Sequence, residues 1–170
     1  MIKLITIEKE LHFAEKYRQL ALEYCNEKGS HWAKPKKEDM LAIFKKIGYP
    51  VKYYSGDRIY IEKYPAGKYS FEYYYEFNGM TPDIFIYIKK IGSKTEWPLQ
   101  RYPPGFIAVS KKYFGKDATD LRGLILYATS LNDLENIFAR LKPMLDELRE
   151  VIIPYLEKDE LDFTVNEDDY

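Results

Sequence analysis

The sequence predicts an α+β fold: a mostly antiparallel sheet, a four-stranded meander plus one or two further strands, packed against N-terminal and C-terminal helices. Three observations point there. Residues 69–77 alternate Tyr69, Phe71, Tyr73, Tyr75 and Phe77 with Ser70, Glu72, Tyr74 and Glu76. Side chains alternate across a strand and aromatics suit its pleated surface, so this stretch reads as a central strand with one wholly aromatic face. Apolar residues recur at helical spacing near both ends of the chain, and Gly-, Pro- and Asn-containing breaks divide the middle into short runs.

Taken in order, Thr6 is placed to cap a helix running to about residue 28, with Glu8 in its first turn. Ile7, Leu11, Ala14, Ala21 and Cys25 form one stripe, with Phe13, Tyr17, Leu20 and Tyr24 beside it. The arc is wide, so the helix is expected to be heavily buried. Gly29-Ser30-His31-Trp32 breaks it. A second helix follows Pro35, with Met40, Ile43, Phe44 and Ile47 inward, Gly48 as its stop and a basic outer side of Lys36, Lys37, Lys45 and Lys46.

Pro50 opens the meander. Runs 51–54 and 58–64 read as strands about Ser55-Gly56-Asp57, and Pro65-Ala66-Gly67 turns the chain into the aromatic strand. Asn78-Gly79 signals the next reversal, which Met80-Thr81-Pro82 appends to beyond a two-residue hairpin. In run 83–91, Ile84, Ile86 and Ile88 share one face and Phe85, Tyr87 and Lys89 the other. The segment 92–105, with Pro98, Pro103 and Pro104, is the longest expected loop. Runs 106–109 and 124–128 are expected to be strands. Ser130, with Asp133 three residues on, starts a last helix whose stripe runs from Leu134 through Ile137, Phe138, Leu141, Leu145 and Leu148 to Ile152. Pro143 should kink or break it and Pro154 should end or bend it.

One hundred and seventy residues suit one domain, taken as 1–156, followed by an acidic C-terminal tail, 157–170. The tail carries seven acids and one base, so a net charge of −1 hides −6 on the tail and +5 on the rest. In that tail Leu161, Phe163 and Val165 alternate, the pattern of an edge strand. The single Cys25 forms no internal disulfide, the N-terminus meets charge too early for a signal peptide, and no apolar run approaches the roughly 20 residues that span a bilayer. A cytoplasmic protein with no membrane partner is the expectation.

Tests for chemistry fail in turn. Gly92-Ser93-Lys94-Thr95 lacks the glycine before Lys that a phosphate-binding loop requires. His12, His31 and Cys25 include no closely spaced metal-ligating pair, no Asp-rich loop has EF-hand spacing, and no Gly-x-Ser-x-Gly elbow occurs. Glu72 and Glu76 share a strand face but sit roughly 13 Å apart along it, too far for a retaining glycosidase pair. No catalytic residue, metal ligand or cofactor is therefore assigned. The 17 tyrosines matter more, because Tyr buries a ring yet keeps a polar tip, which suits a sheet with one dry face and one binding face.

The order of helices, Tyr/Phe-rich meander and closing helix, ending Arg149-Glu150-Val151-Ile152-Ile153-Pro154-Tyr155-Leu156, resembles the small α+β immunity proteins that bacteria encode to neutralise their own polymorphic or contact-delivered toxins. The likeness is one of architecture over most of the chain, with Ile-Pro-Tyr-Leu as its one local echo. That group shares no catalytic motif, so no residue inherits a role. The resemblance implies a non-enzymatic protein that occludes the active site of a cognate toxin domain.

The face opposite the aromatic core is the expected partner-binding surface. With Tyr69, Phe71, Tyr73, Tyr75 and Phe77 inward alongside Ile59, Ile61, Ile84, Ile86 and Ile88, the outer face collects Arg58, Tyr60, Glu62, Glu72, Tyr74, Glu76, Phe85 and Tyr87. The competing classes are a nucleic-acid-binding module, which Glu72 and Glu76 disfavour by repelling phosphates, and a small-molecule-binding enzyme without a recognisable motif.

Overall fold

The aromatic alternation becomes the middle strand of a five-stranded antiparallel sheet in a computed structural model that describes residues 1–24, 33–92, 100–102 and 125–162. In chain order the elements are β1 (Ile2–Lys3), α1 (Leu4–Glu10), α2 (Phe13–Glu23), α3 (Lys37–Ile47), β2 (Lys52–Tyr54), β3 (Ile59–Ala66), β4 (Tyr69–Asn78), β5 (Thr81–Lys90), β6 (Gln100–Tyr102), α4 (Leu131–Glu157) and β7 (Leu161–Asp162). The main sheet runs β2-β3-β4-β5-β6, each strand beside its neighbour in sequence. The fold class is α+β, as expected; β6 adds a strand within the segment read as a long loop, where none was expected. The helices lie on one face, where α4 packs on α1, α2 and α3 and crosses β3 and β4.

The first helix is two helices. Lys3, not Thr6, is the N-cap of α1, and His12 adopts a left-handed conformation with φ 52° that separates α1 from α2. The break explains how a wide apolar arc is buried: Leu4 and Ile7 reach the core from one axis, and Phe13, Tyr17 and Leu20 from another. The remainder of that predicted helix, with Cys25, lies outside the described residues. α3 matches its prediction, and Gly48, at φ 96°, closes it by donating to the Phe44 carbonyl at 2.9 Å.

α4 begins as the Ser130–Asp133 pair indicates. The Ser130 hydroxyl accepts from the Asp133 amide at 3.1 Å, while the Asp133 carboxylate accepts from the Thr129 amide and hydroxyl. The helix continues through both Pro143 and Pro154 for 27 residues, so neither proline breaks it. Tertiary packing outweighs the lost backbone bonds: Leu134, Ile137, Phe138, Leu141, Leu148 and Ile152 are all fully buried along one stripe. Run 106–109 lies outside the described residues. The described part of run 124–128 is no strand; Leu126 and Ala128 plug the core, and the Tyr127 amide donates to the Tyr24 carbonyl of the α2 C-terminus at 3.2 Å instead of to a neighbouring strand. In the acidic segment, β7 pairs in parallel with β1, and Leu161 is buried.

Turn length sets the faces of the sheet. Ala66 pairs with Tyr69 across a two-residue turn, Gly67-Lys68, and Asn78 pairs with Thr81 across Gly79-Met80. Gly67 and Gly79 both have φ near 60° (61° and 60°), the left-handed conformation that glycine adopts without a Cβ penalty. Residues directly opposite share a face, so Tyr60, Glu62, Tyr64 and Ala66 join Tyr69–Phe77's aromatic side, and Ile59 and Ile61 turn outward. This reverses the expected parity of β3. On β5 the parity holds, with Ile84, Ile86 and Ile88 opposite Tyr75, Tyr73 and Phe71.

Phe44 of α3 is the meeting point of the core, with ring centroids of Tyr49, Tyr60, Tyr75 and Phe138 at 5.3, 5.2, 5.4 and 4.9 Å. Phe71, fully buried, stands edge-on to Tyr73 at 4.9 Å. Removing a buried aromatic costs about 3–5 kcal/mol. Phe71→Ala is expected to lose about that much by urea denaturation, a large share of the roughly 5–15 kcal/mol that holds a typical domain folded.

Candidate functional site: the outer sheet face and its edge

The eight expected partner-binding residues divide into three places. Glu62 is not on the outer face but in the core, 2% exposed, because the Gly67-Lys68 turn puts it opposite Tyr73. Its carboxylate accepts from the Tyr75 hydroxyl at 2.7 Å and the Tyr64 hydroxyl at 2.5 Å. Two further tyrosines satisfy helix carbonyls: Tyr49 donates to Phe138 and Tyr73 to Leu145, at 2.7 and 2.6 Å. Beside Tyr64, whose ring Arg149 covers at 4.4 Å, α4 supplies Lys142, Asp146 and Arg149, linked through the Asp146 carboxylate. Burial pushes the Glu62 carboxyl above its usual range; the Tyr64 and Tyr75 hydrogen bonds and the charge of Lys142 oppose the rise without cancelling it, and Asp146 adds to it.

Tyr60 is likewise inward, 3% exposed and packed on Phe44. Arg58 precedes β3 in the four-residue loop from β2 and is exposed. These two residues meet at the sheet edge, where they line a cleft of about 230 Å³ with Lys34, Pro35, Lys37, Tyr53 and Phe77.

Glu72, Tyr74, Glu76, Phe85 and Tyr87 do share the outer face, as expected. Glu72, however, is 1% exposed, and its carboxylate is saturated with donors: Lys63 at 3.0 Å and Ser70 at 2.9 Å on Oε1, Lys89 at 2.9 Å and the Tyr74 hydroxyl at 3.0 Å on Oε2. Burial raises its pKa, but the bonds from Lys89, Lys63 and Ser70 outweigh that and hold it below the usual carboxylate range. Lys89 also donates to the Tyr74 hydroxyl and lies over the Tyr74 and Tyr87 rings at 4.9 and 5.6 Å. Those rings meet at a tilt of 34° with centroids 4.2 Å apart, and Phe85 pairs with Tyr74 in register. Glu76 faces Asp83 at the hairpin end of the strands.

The face is less open than expected. Ile59, Ile61, Ser70 and Glu72 are buried, and Tyr74, Glu76, Phe85, Tyr87 and Lys89 are half-buried. Loop 92–105 and the end of the C-terminal segment fall mostly outside the described residues. Sequence reasoning missed Lys63 and Lys89 as the charges that neutralise Glu72, and missed the exposed Tyr54, which the Tyr54–Ile59 pairing places on this face. The two-residue turn at Gly67 was the signal for Lys63 and Tyr54; Lys89 already lay in the outward set of β5.

The two carboxylates generate opposite expectations. The raised Glu62 pKa means that the folded chain keeps a proton the unfolded chain has already lost. Its contribution to stability therefore falls as pH rises from about 4, the ordinary carboxylate value, to the folded pKa. Glu62→Gln should gain on the native chain across that window and hold the gain above it, read as the difference in urea midpoints. At Glu72 the sign reverses, and its contribution is lost as pH falls through the depressed folded pKa. Glu72→Ala leaves two lysines unpaired on the face and should cost about 2–3 kcal/mol near neutral pH, less than a fully buried pair because Lys63 is solvent-exposed. No family model, curated protein or solved structure matches the chain.

Proposed function

We propose that the chain is a non-enzymatic protein-binding protein of the immunity or inhibitor type, which meets its partner through the outer sheet face. The observation that supports this is the pair of Tyr74 and Tyr87, in contact at 4.2 Å between ring centroids and tied through the Tyr74 hydroxyl to the Glu72 hub. Tyr is a favoured interface anchor, because its ring adds a large contact area for few rotatable bonds. Phe85 extends the apolar strip, Tyr54 extends the face towards the β2 edge, and Glu76 supplies negative charge at the hairpin end. Among the described residues, no helix is long and apolar enough to cross a membrane. In this reading the partner is a toxin domain whose active site the face occludes.

One observation favours a nucleic-acid reading. Lys63 and Lys89 neutralise Glu72, and Lys89 lies over two adjoining rings, so that acid no longer repels phosphates as the sequence implied. The experiment that separates the two is affinity capture from a lysate of the native organism, with and without nuclease, using the native chain and two variants. One stoichiometric protein partner is expected, insensitive to nuclease and bound about tenfold or more weakly by Tyr87→Ala. Glu76→Lys should slow association, most at low salt, because complementary charge steers encounter. RNA recovered with the chain, and lost with nuclease, overturns the proposal in favour of the alternative.

A further inference from the structure

The cleft at the sheet edge is chemically unlike the face beside it. Its floor is aromatic: Tyr53 and Tyr60 lie 4.9 Å apart, Tyr60 and Phe77 5.9 Å apart, and Lys37 caps the Tyr53 ring with its ammonium 5.0 Å from the centroid. Its rim is cationic, with Lys34 and Lys37 before and at the start of α3 and Arg58 from the β2–β3 loop. Among the described residues, none of the seven that line the cleft is an acid, and none of the three cations pairs with a carboxylate.

Two details bear on what the cleft can hold. Tyr60 is 3% exposed and lines the cleft, and its hydroxyl, which has no hydrogen-bond partner among the described residues, is not one of the buried unpaired polar atoms and is open to a donor or acceptor from outside. The other inward tyrosines of β3 and β4 all place their hydroxyls on carboxylates or helix carbonyls. Arg58 has φ 56°, a left-handed conformation in which Gly is the low-cost residue, so the loop accepts backbone strain and thereby presents a guanidinium at the cleft.

We infer that this cleft binds a phosphate monoester carried on a small apolar or aromatic group. Three cations around one opening match a dianion better than a single carboxylate, and the planar guanidinium fork suits phosphate oxygens. The aromatic floor provides a surface for the carrier, and the Tyr60 hydroxyl supplies a neutral donor. That hydroxyl stays protonated at physiological pH, since burial, Tyr53 and the nearby Glu38 push its pKa up to about 12. The volume, about 230 Å³, lies below the roughly 300–1,000 Å³ usual for whole small-molecule ligands, which suits one phosphorylated group and excludes a large cofactor. The inference does not depend on the outer face, and its test uses no protein partner.

Phenyl phosphate is the probe, titrated calorimetrically into the full chain at low salt. Saturable single-site binding is expected, weakening as salt rises. Inorganic phosphate, which lacks the ring, and benzoate, which lacks the second charge, should each bind about tenfold more weakly. Arg58→Gly should lower phenyl phosphate affinity about tenfold with an unchanged or raised melting temperature, because it removes the charge and the strain together. Tyr60→Phe keeps the packing on Phe44 and should lower affinity several-fold, which separates the hydroxyl from the fold. A phosphotyrosine peptide binding more tightly than phenyl phosphate assigns the group to a phosphorylated chain, and equal or weaker binding assigns it to a free ester. Absence of saturation, affinity unchanged in both variants, or equal binding of neutral benzyl alcohol overturns the inference.

Discussion

At Gly67 the chain reverses in two residues with φ 61°, and a Cβ built there would sit 3.2 Å from the Glu157 Cα at the end of α4. Backbone conformation and close packing therefore demand glycine at the same point. The neighbouring residues extend the attachment: Lys68 and Tyr69 both bond to Asp159, at 2.5 and 2.7 Å. This turn joins the β3–β4 hairpin to the C-terminal end of the long helix and fixes Ala66 opposite Tyr69. Every other pairing of the two strands follows from that one, because a slip of a single residue would exchange both faces of β3.

With this register the core becomes unusually polar at its tips. Tyr49, Tyr64, Tyr73 and Tyr75 bury rings but must place their hydroxyls, since an unpaired buried donor costs free energy comparable to a lost hydrogen bond. Glu62 accepts from two of them, and the α4 carbonyls of Phe138 and Leu145 accept from the other two. These bonds are directional where apolar packing is not, so they set how α4 lies across β3 and β4. The unbroken course of α4 through Pro143 is consistent with that anchoring, because the helix is held on both sides of the proline.

Glu62 and Glu72 show how partner chemistry decides the state of a buried acid. Both are almost wholly buried and accept several hydrogen bonds. The donors to Glu62 are neutral tyrosines, and burial prevails; two of the donors to Glu72 are lysines, whose charge prevails over burial. One carboxylate therefore organises the inner face as an acceptor for tyrosines, and the other organises the outer face as a hub for lysines and Tyr74.

Legible in the sequence were the α+β class, the order of the four meander strands, the aromatic face of β4, the inward isoleucines of β5, the Gly48 stop of α3 and the Ser130-capped start of α4. All of these rest on local periodicity and turn chemistry. The outward set of β4 and β5, Glu72, Tyr74, Glu76, Phe85 and Tyr87, was legible for the same reason. Tertiary structure alone decided the rest. Ile59 and Ile61 are more apolar than Glu62, so hydrophobicity argues for the opposite parity of β3; only the pairing across Gly67 and the tyrosine hydroxyls awaiting an acceptor draw Glu62 inside. Arg58 and Tyr60 were singled out on that reversed parity, and what brings them together is a cleft closed by Lys34 and Lys37, distant in sequence. Local pattern specifies which faces a segment possesses, but which face is buried, and what it meets there, depends on contacts between segments that lie far apart along the chain.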